Sequence, residues 1–213
     1  MTHSRWRAGA AAAFLMLATQ AAAQDISVAE TLLFQTRHLG NVRAPATLRY
    51  SFHKAGSVEP GFDDRVLLVL SNTRPAATLQ FLTGPREYTA PAVDEPEGNP
   101  VLLGFLEHDI AGMQRLTGGA SAYFRKRIRL ALAGSAQVRA HHFTYDGKEV
   151  DGREIVIEPY ANDPMRARFE QYVGKRYTFI VSPQVPGGVY QVRAAAGSPA
   201  LVDETLTLVG ADH

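Results

Sequence analysis

The sequence predicts an α+β protein, with a mainly antiparallel, curved β-sheet of about seven or eight strands packed against a central helix pair and one short later helix. Two observations carry this prediction. Segments in which apolar and polar residues alternate follow one another with only short turns between them, which is typical of antiparallel strands. Two adjacent segments with helical periodicity and end signals lie between the early and the late strands, without a regular strand–helix alternation.

The elements are predicted in order along the chain. A short helix at 28–39 precedes the first strands, the segment 83–98 is a proline-rich loop, and the residues DGKEVDG form a long hairpin loop. Asn99 caps the first central helix and Ser121 caps the second. The predicted helices span 28–39, 99–116, 121–133 and 163–173, and the predicted strands span 48–53, 65–70, 78–82, 138–145, 154–158, 177–181, 189–194 and 205–209.

Residues 1–23 have the three parts of a cleavable secretory signal. Arg5 and Arg7 precede a short apolar run, and three alanines at 21–23 provide the small residues at the cleavage site. The run is shorter than the roughly 20 residues of a membrane span. We therefore expect a single domain at 24–213 in the periplasm of a bacterium, with no membrane span in the mature chain.

Composition excludes several classes of protein. The 213 residues are 46% hydrophobic and 20% charged and include no cysteine, which argues against a disordered or disulfide-stapled chain. The net charge is +1, from 22 basic and 21 acidic residues. Loss of Arg5 and Arg7 with residues 1–23 leaves 190 residues with 20 basic and 21 acidic groups, a net charge of −1. Such a balanced chain is not expected to bind nucleic acid.

One charged residue lies within the apolar face of each central helix. In the first helix Asp109 falls within the arc of Leu102, Leu106 and Ile110, and in the second Arg127 falls between two apolar groups. An unpaired buried charge costs several kcal/mol, so each should have a partner. The simplest expectation is that Asp109 and Arg127 form an ion pair across the helix pair. This pair either fixes the helix register or forms a polar spot in a binding cavity together with its neighbour Tyr123.

Other chemical signals are weak. His141 and His142 are adjacent on a predicted strand and so point to opposite faces, while Glu107, His108 and Asp109 have no second ligand at helical spacing. The sequence has no HExxH, G-x-S-x-G, phosphate-loop or dinucleotide motif. We expect no metal and no cofactor.

Two functions remain open. The first is a non-enzymatic periplasmic binding, chaperone or carrier module for an apolar small molecule, a lipid or a partner segment. Carriers that shuttle lipoproteins across the periplasm are similar in size, compartment and coarse layout, although no motif links this chain to them. The alternative is a hydrolase-like periplasmic enzyme whose site is assembled from distant residues around Asp109 or a histidine. A binder should have an apolar cavity between helices and sheet. An enzyme should bring a histidine, a carboxylate and a hydroxyl together in a cleft.

Overall fold

The fold is an open, nine-stranded, antiparallel sheet with helices on one face. The computed structural model describes residues 25–74, 76–90, 92–94, 96 and 98–212, so the predicted signal at 1–23 lies outside the described residues. Along the sheet the strands follow the order β4-β3-β2-β1-β9-β8-β7-β6-β5. The strands are β1 Ala46–Ala55, β2 Phe62–Leu70, β3 Ala77–Phe81, β4 Tyr88–Thr89, β5 Gln137–Tyr145, β6 Lys148–Ile157, β7 Arg176–Val181, β8 Val189–Ala196 and β9 Val202–Asp212.

The predicted α+β class is confirmed. Consecutive strands pair with one another everywhere except between β4 and β5, and the last strand returns to pair with the first over nine residue pairs. The sheet therefore consists of two meanders, β1–β4 and β5–β9, that the β1–β9 ladder joins at the centre. Among the described residues, no helix is long and apolar enough to cross a membrane.

One face of the sheet forms the core under the helices. In β1 the buried residues Leu48, Tyr50 and Phe52 alternate with exposed ones, as the period-two pattern predicts. The core also contains Phe105 of α2 (Pro100–Thr117) and Phe124 of α3 (Ser121–Gly134). The space between helices and sheet is thus occupied by aromatic and aliphatic side chains.

The first central helix begins and ends where the sequence predicts. The Asn99 side chain accepts a hydrogen bond from Val101 N at 3.1 Å, Pro100 occupies the first turn, and Gly118 ends the helix at φ 70°. Gly104 lets this helix lie close to the sheet, since a Cβ there would be 2.5 Å from a methyl group of Leu79. The second cap prediction is wrong. Ala120 is the N-cap of α3, and the Ser121 hydroxyl instead donates to the Gln114 side chain at 2.7 Å.

The predicted long hairpin loop between β5 and β6 is also wrong. The turn consists only of Asp146 and Gly147, both with positive φ (49° and 72°), and β6 begins at the next residue. Most of the DGKEVDG segment is therefore strand. Gly152 belongs to this segment, and a Cβ there would come 2.7 Å from the Val181 carbonyl oxygen and 2.9 Å from the Phe143 ring.

Two predicted helices are replaced by shorter turns. The segment predicted as a helix at 163–173 forms two 3₁₀ turns, Arg166–Arg168 and Glu170–Tyr172, because the Asp163 side chain is held by contacts from α3 and because Phe169 and Tyr172 are buried. The predicted helix at 28–39 is a single α turn, α1 (Val28–Glu30), continued by a π turn Thr31–Gln35 and a 3₁₀ turn His38–Asn41.

Candidate functional site

Asp109 is the centre of a buried polar cluster beneath α2. Its carboxylate accepts a hydrogen bond from Lys175 Nζ at 2.5 Å and another from the Tyr177 hydroxyl at 2.6 Å. The Tyr160 hydroxyl lies 3.3 Å from that of Tyr177. Asp109 and Lys175 are each only 2% exposed, so both charges are removed from water and offset each other. Burial and the nearby Asp109 carboxylate raise the pKa of Tyr177 well above 10, which keeps its hydroxyl protonated as a donor.

The predicted ion pair between Asp109 and Arg127 is therefore wrong, although both residues do have partners. Arg127 Nε lies 2.8 Å from the Asp163 carboxylate, and its guanidinium also donates to the Pro159 carbonyl oxygen at 3.1 Å. The Tyr123 hydroxyl donates to the same Asp163 carboxylate. Tyr123 and Arg127 are one helical turn apart on α3, so a single buried acid binds both and attaches α3 to the chain segment before β7.

A third charged cluster connects the end of β1 to α2. Lys54 at the end of β1 contacts Glu204 at 2.8 Å and Glu59 at 2.7 Å, and Arg115 of α2 forms a two-pronged contact with Glu59 at 2.8 Å. The Arg115 guanidinium is the largest of the influences that lower the pKa of Glu59 to about 2. Burial disfavours the charged form of Lys54 and by itself would lower the pKa of this side chain. The carboxylates of Glu204 and Glu59 have a larger opposite effect, so the pKa of Lys54 is raised.

Three further buried charges, which were not predicted, lie at positions that a period-two pattern reveals. Lys54 continues the buried face of β1, and Glu204 occupies the same face of β9 as Val202 and Leu206. Lys175 directly precedes β7 and has the parity of Tyr177 and Phe179, both fully buried. Extension of each apolar alternation by one step would have placed all three charges in the interior.

Within the part of the chain that the structure describes, the histidines do not form the constellation that the enzyme hypothesis requires. His142 contacts Asp151 at 2.6 Å and His53 contacts Asp63 at 2.6 Å, in both cases between exposed side chains. Ser182 is near the first of these pairs, but its hydroxyl donates its proton to the Asp151 carbonyl oxygen at 2.6 Å rather than to the imidazole. Asp109 is enclosed by Lys175 and Tyr177, so a substrate does not reach its carboxylate in this conformation.

His108 and His141 are held by aromatic neighbours. His108 lies 5.4 Å from the Phe52 ring and 5.2 Å from the Phe81 ring, and burial lowers its pKa. His141 stacks on Phe143 with 6.0 Å between ring centroids. Within the described ranges, no group of three or more His, Cys, Asp or Glu side chains is placed to hold a metal ion.

Residues 26–41 form a strap between the helix pair and the β5–β6 edge of the sheet. The capping box of Ser27 and Glu30 begins it, and the Ser27 hydroxyl donates to the Leu132 carbonyl oxygen of α3 at 2.8 Å. At the other end the Asn41 side chain donates to the carbonyl oxygens of Pro183 and Val185 at 2.9 and 2.7 Å. Each end of the strap is thus attached to a different layer.

His38 connects the strap to the beginning of α2. Its Nε2 lies 2.8 Å from the Leu32 carbonyl oxygen, and the backbone N–H of Asn99 donates to its Nδ1 at 3.3 Å. These contacts require the neutral tautomer with its proton on Nε2. Burial lowers the pKa of His38, in agreement with that neutral form, while the bond to Leu32 partly opposes the shift.

An apolar cavity of about 380 Å³, called here the helix cavity, separates the strap from the helix pair. Its floor consists of the buried side chains of Leu106, Ile110, Ile128 and Leu132, and no strand residue contributes to its lining. Ile26 and Leu103 at its rim are 58% and 57% exposed. A concave apolar floor with apolar side chains at its rim is typical of a small-molecule binding site.

A larger cavity of about 590 Å³, the edge cavity, lies on the other side of the strap. It is bounded by strap residues such as Leu32 and Arg37, by Arg153 of β6, by the last residue of β7, Val181, and by the 182–184 segment that follows it. The strap thus divides two cavities of different character, one apolar and one mixed. Asp109, Arg127 and Tyr123 line neither of them, so a role for these three in binding stays a prediction.

No protein-family model matches the chain, and no curated protein matches its sequence. Among solved structures the chain is similar to the lipoprotein LppX of Mycobacterium tuberculosis, at 10% identity and a TM-score of 0.35 over 81% of this chain and 89% of that one. It is also similar to a LolA superfamily protein from Nitrosomonas europaea, at 10% identity and a TM-score of 0.25 over 86% and 92%.

A third similar structure is a domain from Vibrio parahaemolyticus described as an outer membrane lipoprotein-sorting protein, at 8% identity and a TM-score of 0.22 over 78% and 84% of the two chains. At TM-scores below 0.5, these similarities establish nothing about what this chain binds. Inferences about its function rest on its own cavities and contacts.

Proposed function

We propose that this protein is a non-enzymatic carrier of an apolar ligand, and that the helix cavity is its binding site. The observation that carries the proposal is an apolar floor with a rim of exposed apolar side chains, Ile26 and Leu103, in a cavity of about 380 Å³. This volume is within the range of small-molecule sites. Transfer of apolar ligand surface from water supplies about 25 cal/mol per Å².

The cavity is not located where the sequence analysis expects it. A binder was expected to hold its ligand between helices and sheet, but the core fills that space, with Phe52, Phe105 and Phe124 at most 1% exposed. The helix cavity instead lies between the strap and the outer surfaces of α2 and α3. A ligand can enter this cavity from solvent without disruption of the core.

A fluorescent apolar probe tests this proposal. The delipidated protein is titrated with N-phenyl-1-naphthylamine, whose emission rises when it leaves water. Leu103→Asp places a charge in the cavity rim, while Leu130→Asp adds the same charge at an exposed α3 residue (45%) outside the lining. We expect saturable binding that Leu103→Asp weakens at least about tenfold and Leu130→Asp leaves unchanged. Equal binding by both variants, or no saturable binding by the parent chain, would refute the proposal.

We also propose that the carrier acts after export. The support for this is the three-part pattern of residues 1–23. Expression of the whole chain in a Gram-negative host, followed by N-terminal sequencing of periplasmic protein, should give Gln24 as the first residue. A cytoplasmic product that retains Met1 would contradict export. Mass spectrometry of an organic extract of the periplasmic protein then identifies the ligand.

A further inference from the structure

The edge cavity has an unbalanced positive lining. Arg37 of the strap and Arg153 of β6 both border it, and neither has an ion-pair or hydrogen-bond partner for its guanidinium among the described residues. The acid in the lining, Asp151, is already in contact with His142 at 2.6 Å. Two exposed cations that come from distant parts of the chain therefore border one cavity whose lining holds a single carboxylate.

Most of the remaining polar groups of the lining are occupied by bonds within the protein. The Ser182 hydroxyl donates to the Asp151 carbonyl oxygen and accepts from Gln184 N at 3.1 Å. The Asn41 amide is used at Pro183 and Val185. His38 is similarly occupied at both ring nitrogens. The groups left to bind a ligand are therefore the two guanidinium groups, the free edge of the His142 imidazole and the Gln184 side-chain amide.

The rest of the lining is apolar. Leu32, Ala140, Val181 and Pro183 provide aliphatic surface beside the cations. A guanidinium binds carboxylate or phosphate oxygens in a two-pronged geometry, and adjacent aliphatic surface favours a hydrocarbon chain. At about 590 Å³ the cavity has room for both parts of such a molecule.

We propose that the edge cavity is a second binding site, for an anionic amphiphile. A carboxylate or phosphate head pairs with Arg37 and Arg153, and the attached hydrocarbon chain lies against Leu32 and Val181. This site is separate from the helix cavity. It requires a charge on its ligand, whereas the helix cavity requires only apolar surface.

Calorimetric titration of the parent chain with dodecanoate and with dodecanol tests the need for the charge. We expect dodecanoate to bind, and its affinity to fall with rising salt because screening weakens exposed ion pairs. Arg37→Gln combined with Arg153→Gln should weaken dodecanoate binding about tenfold and leave the dodecanol titration unchanged. The matched control is Arg43→Gln combined with Arg65→Gln, two exposed arginines outside the lining with the same change in net charge.

The outcomes separate this site from its alternatives. The proposal would be overturned if the two double variants weakened dodecanoate binding equally, or if neither of them weakened it. Displacement of dodecanoate by inorganic phosphate at the same concentrations as by dodecyl phosphate would show a site for a free anion and would also overturn it. Leu103→Asp reports on the helix cavity alone, so dodecanoate binding should survive that substitution even if the proposed carrier function fails.

Discussion

Asp109 of α2 and Lys175, the residue before β7, form an ion pair at 2.5 Å with each residue only 2% exposed. The pair joins the middle of α2 to the meander that carries β5–β9. Because Tyr177 donates to the second carboxylate oxygen, both oxygens of Asp109 have partners. The buried acid therefore sets the position of α2 over the sheet.

Asp109→Ala should destabilise the fold by about 3–5 kcal/mol, because it leaves the Lys175 ammonium buried without its counter-charge. Urea denaturation followed by circular dichroism measures this loss. Asp109→Leu combined with Lys175→Met removes both charges and should be clearly more stable than Asp109→Ala. A double variant no more stable than the single one, or an unchanged midpoint for Asp109→Ala, would contradict a buried pair.

Arg127 should couple energetically to Asp163 and not to Asp109. A double-mutant cycle of Arg127→Ala and Asp163→Ala should show a coupling energy of about 1–3 kcal/mol, because the two side chains are in contact at 2.8 Å. The corresponding cycle of Arg127 with Asp109 should show a smaller coupling. A larger coupling energy between Arg127 and Asp109 than between Arg127 and Asp163 would instead support the ion pair that the sequence predicts.

Gly104→Ala and Gly112→Ala should change stability in opposite directions. A Cβ at Gly104 would lie 2.5 Å from Leu79 and 3.2 Å from Phe81, so α2 or the core must shift, at a cost of about 1–3 kcal/mol. At Gly112 of the same helix, the nearest atom is the flexible end of Arg115 at 3.9 Å. That substitution should stabilise the protein by up to about 1 kcal/mol through helix propensity. Thermal unfolding of the two variants provides the comparison, and equal shifts would disprove the close helix–sheet approach.

Acid should loosen the strap through His38. Burial lowers its folded-state pKa below the ordinary 6.5, so the unfolded strap takes up a proton first as the pH falls. The stabilisation is complete above about pH 6.5 and is lost as the pH falls through the lowered pKa. Hydrogen exchange of strap amides, corrected for intrinsic rates, should therefore show weaker protection at about pH 5 than at about pH 7.5.

His38→Gln is the control for this prediction, since its amide can still donate to the Leu32 carbonyl oxygen but does not titrate. The variant should lose the pH dependence of strap protection. An unchanged dependence would assign the effect to another group, such as His108, whose pKa burial also lowers.

Local patterns predicted most of the sheet. The alternation at Leu48, Tyr50 and Phe52 identified β1 and its buried face, since a strand exposes every second side chain to the same side. The start of α2 at Asn99–Pro100 and its end at Gly118 could also be predicted from the sequence, because helix capping depends on a few adjacent residues. The segment 146–152 was predicted as a loop because six of its seven residues are polar or glycine, although two of them are enough to reverse the chain.

The sequence by itself determined that Asp109 and Arg127 lie on apolar helix faces and therefore need partners, since helical periodicity and the cost of a buried charge are local physics. Only the tertiary structure decided which partners these are, namely Lys175 and Asp163. Both partners are distant along the chain, and a periodic pattern shows which face of a helix a side chain lies on but not which distant residue it contacts. The two cavities beside the strap could not be predicted from the sequence either. Their walls come from segments that meet only when the helices, the strap and the sheet edge pack together.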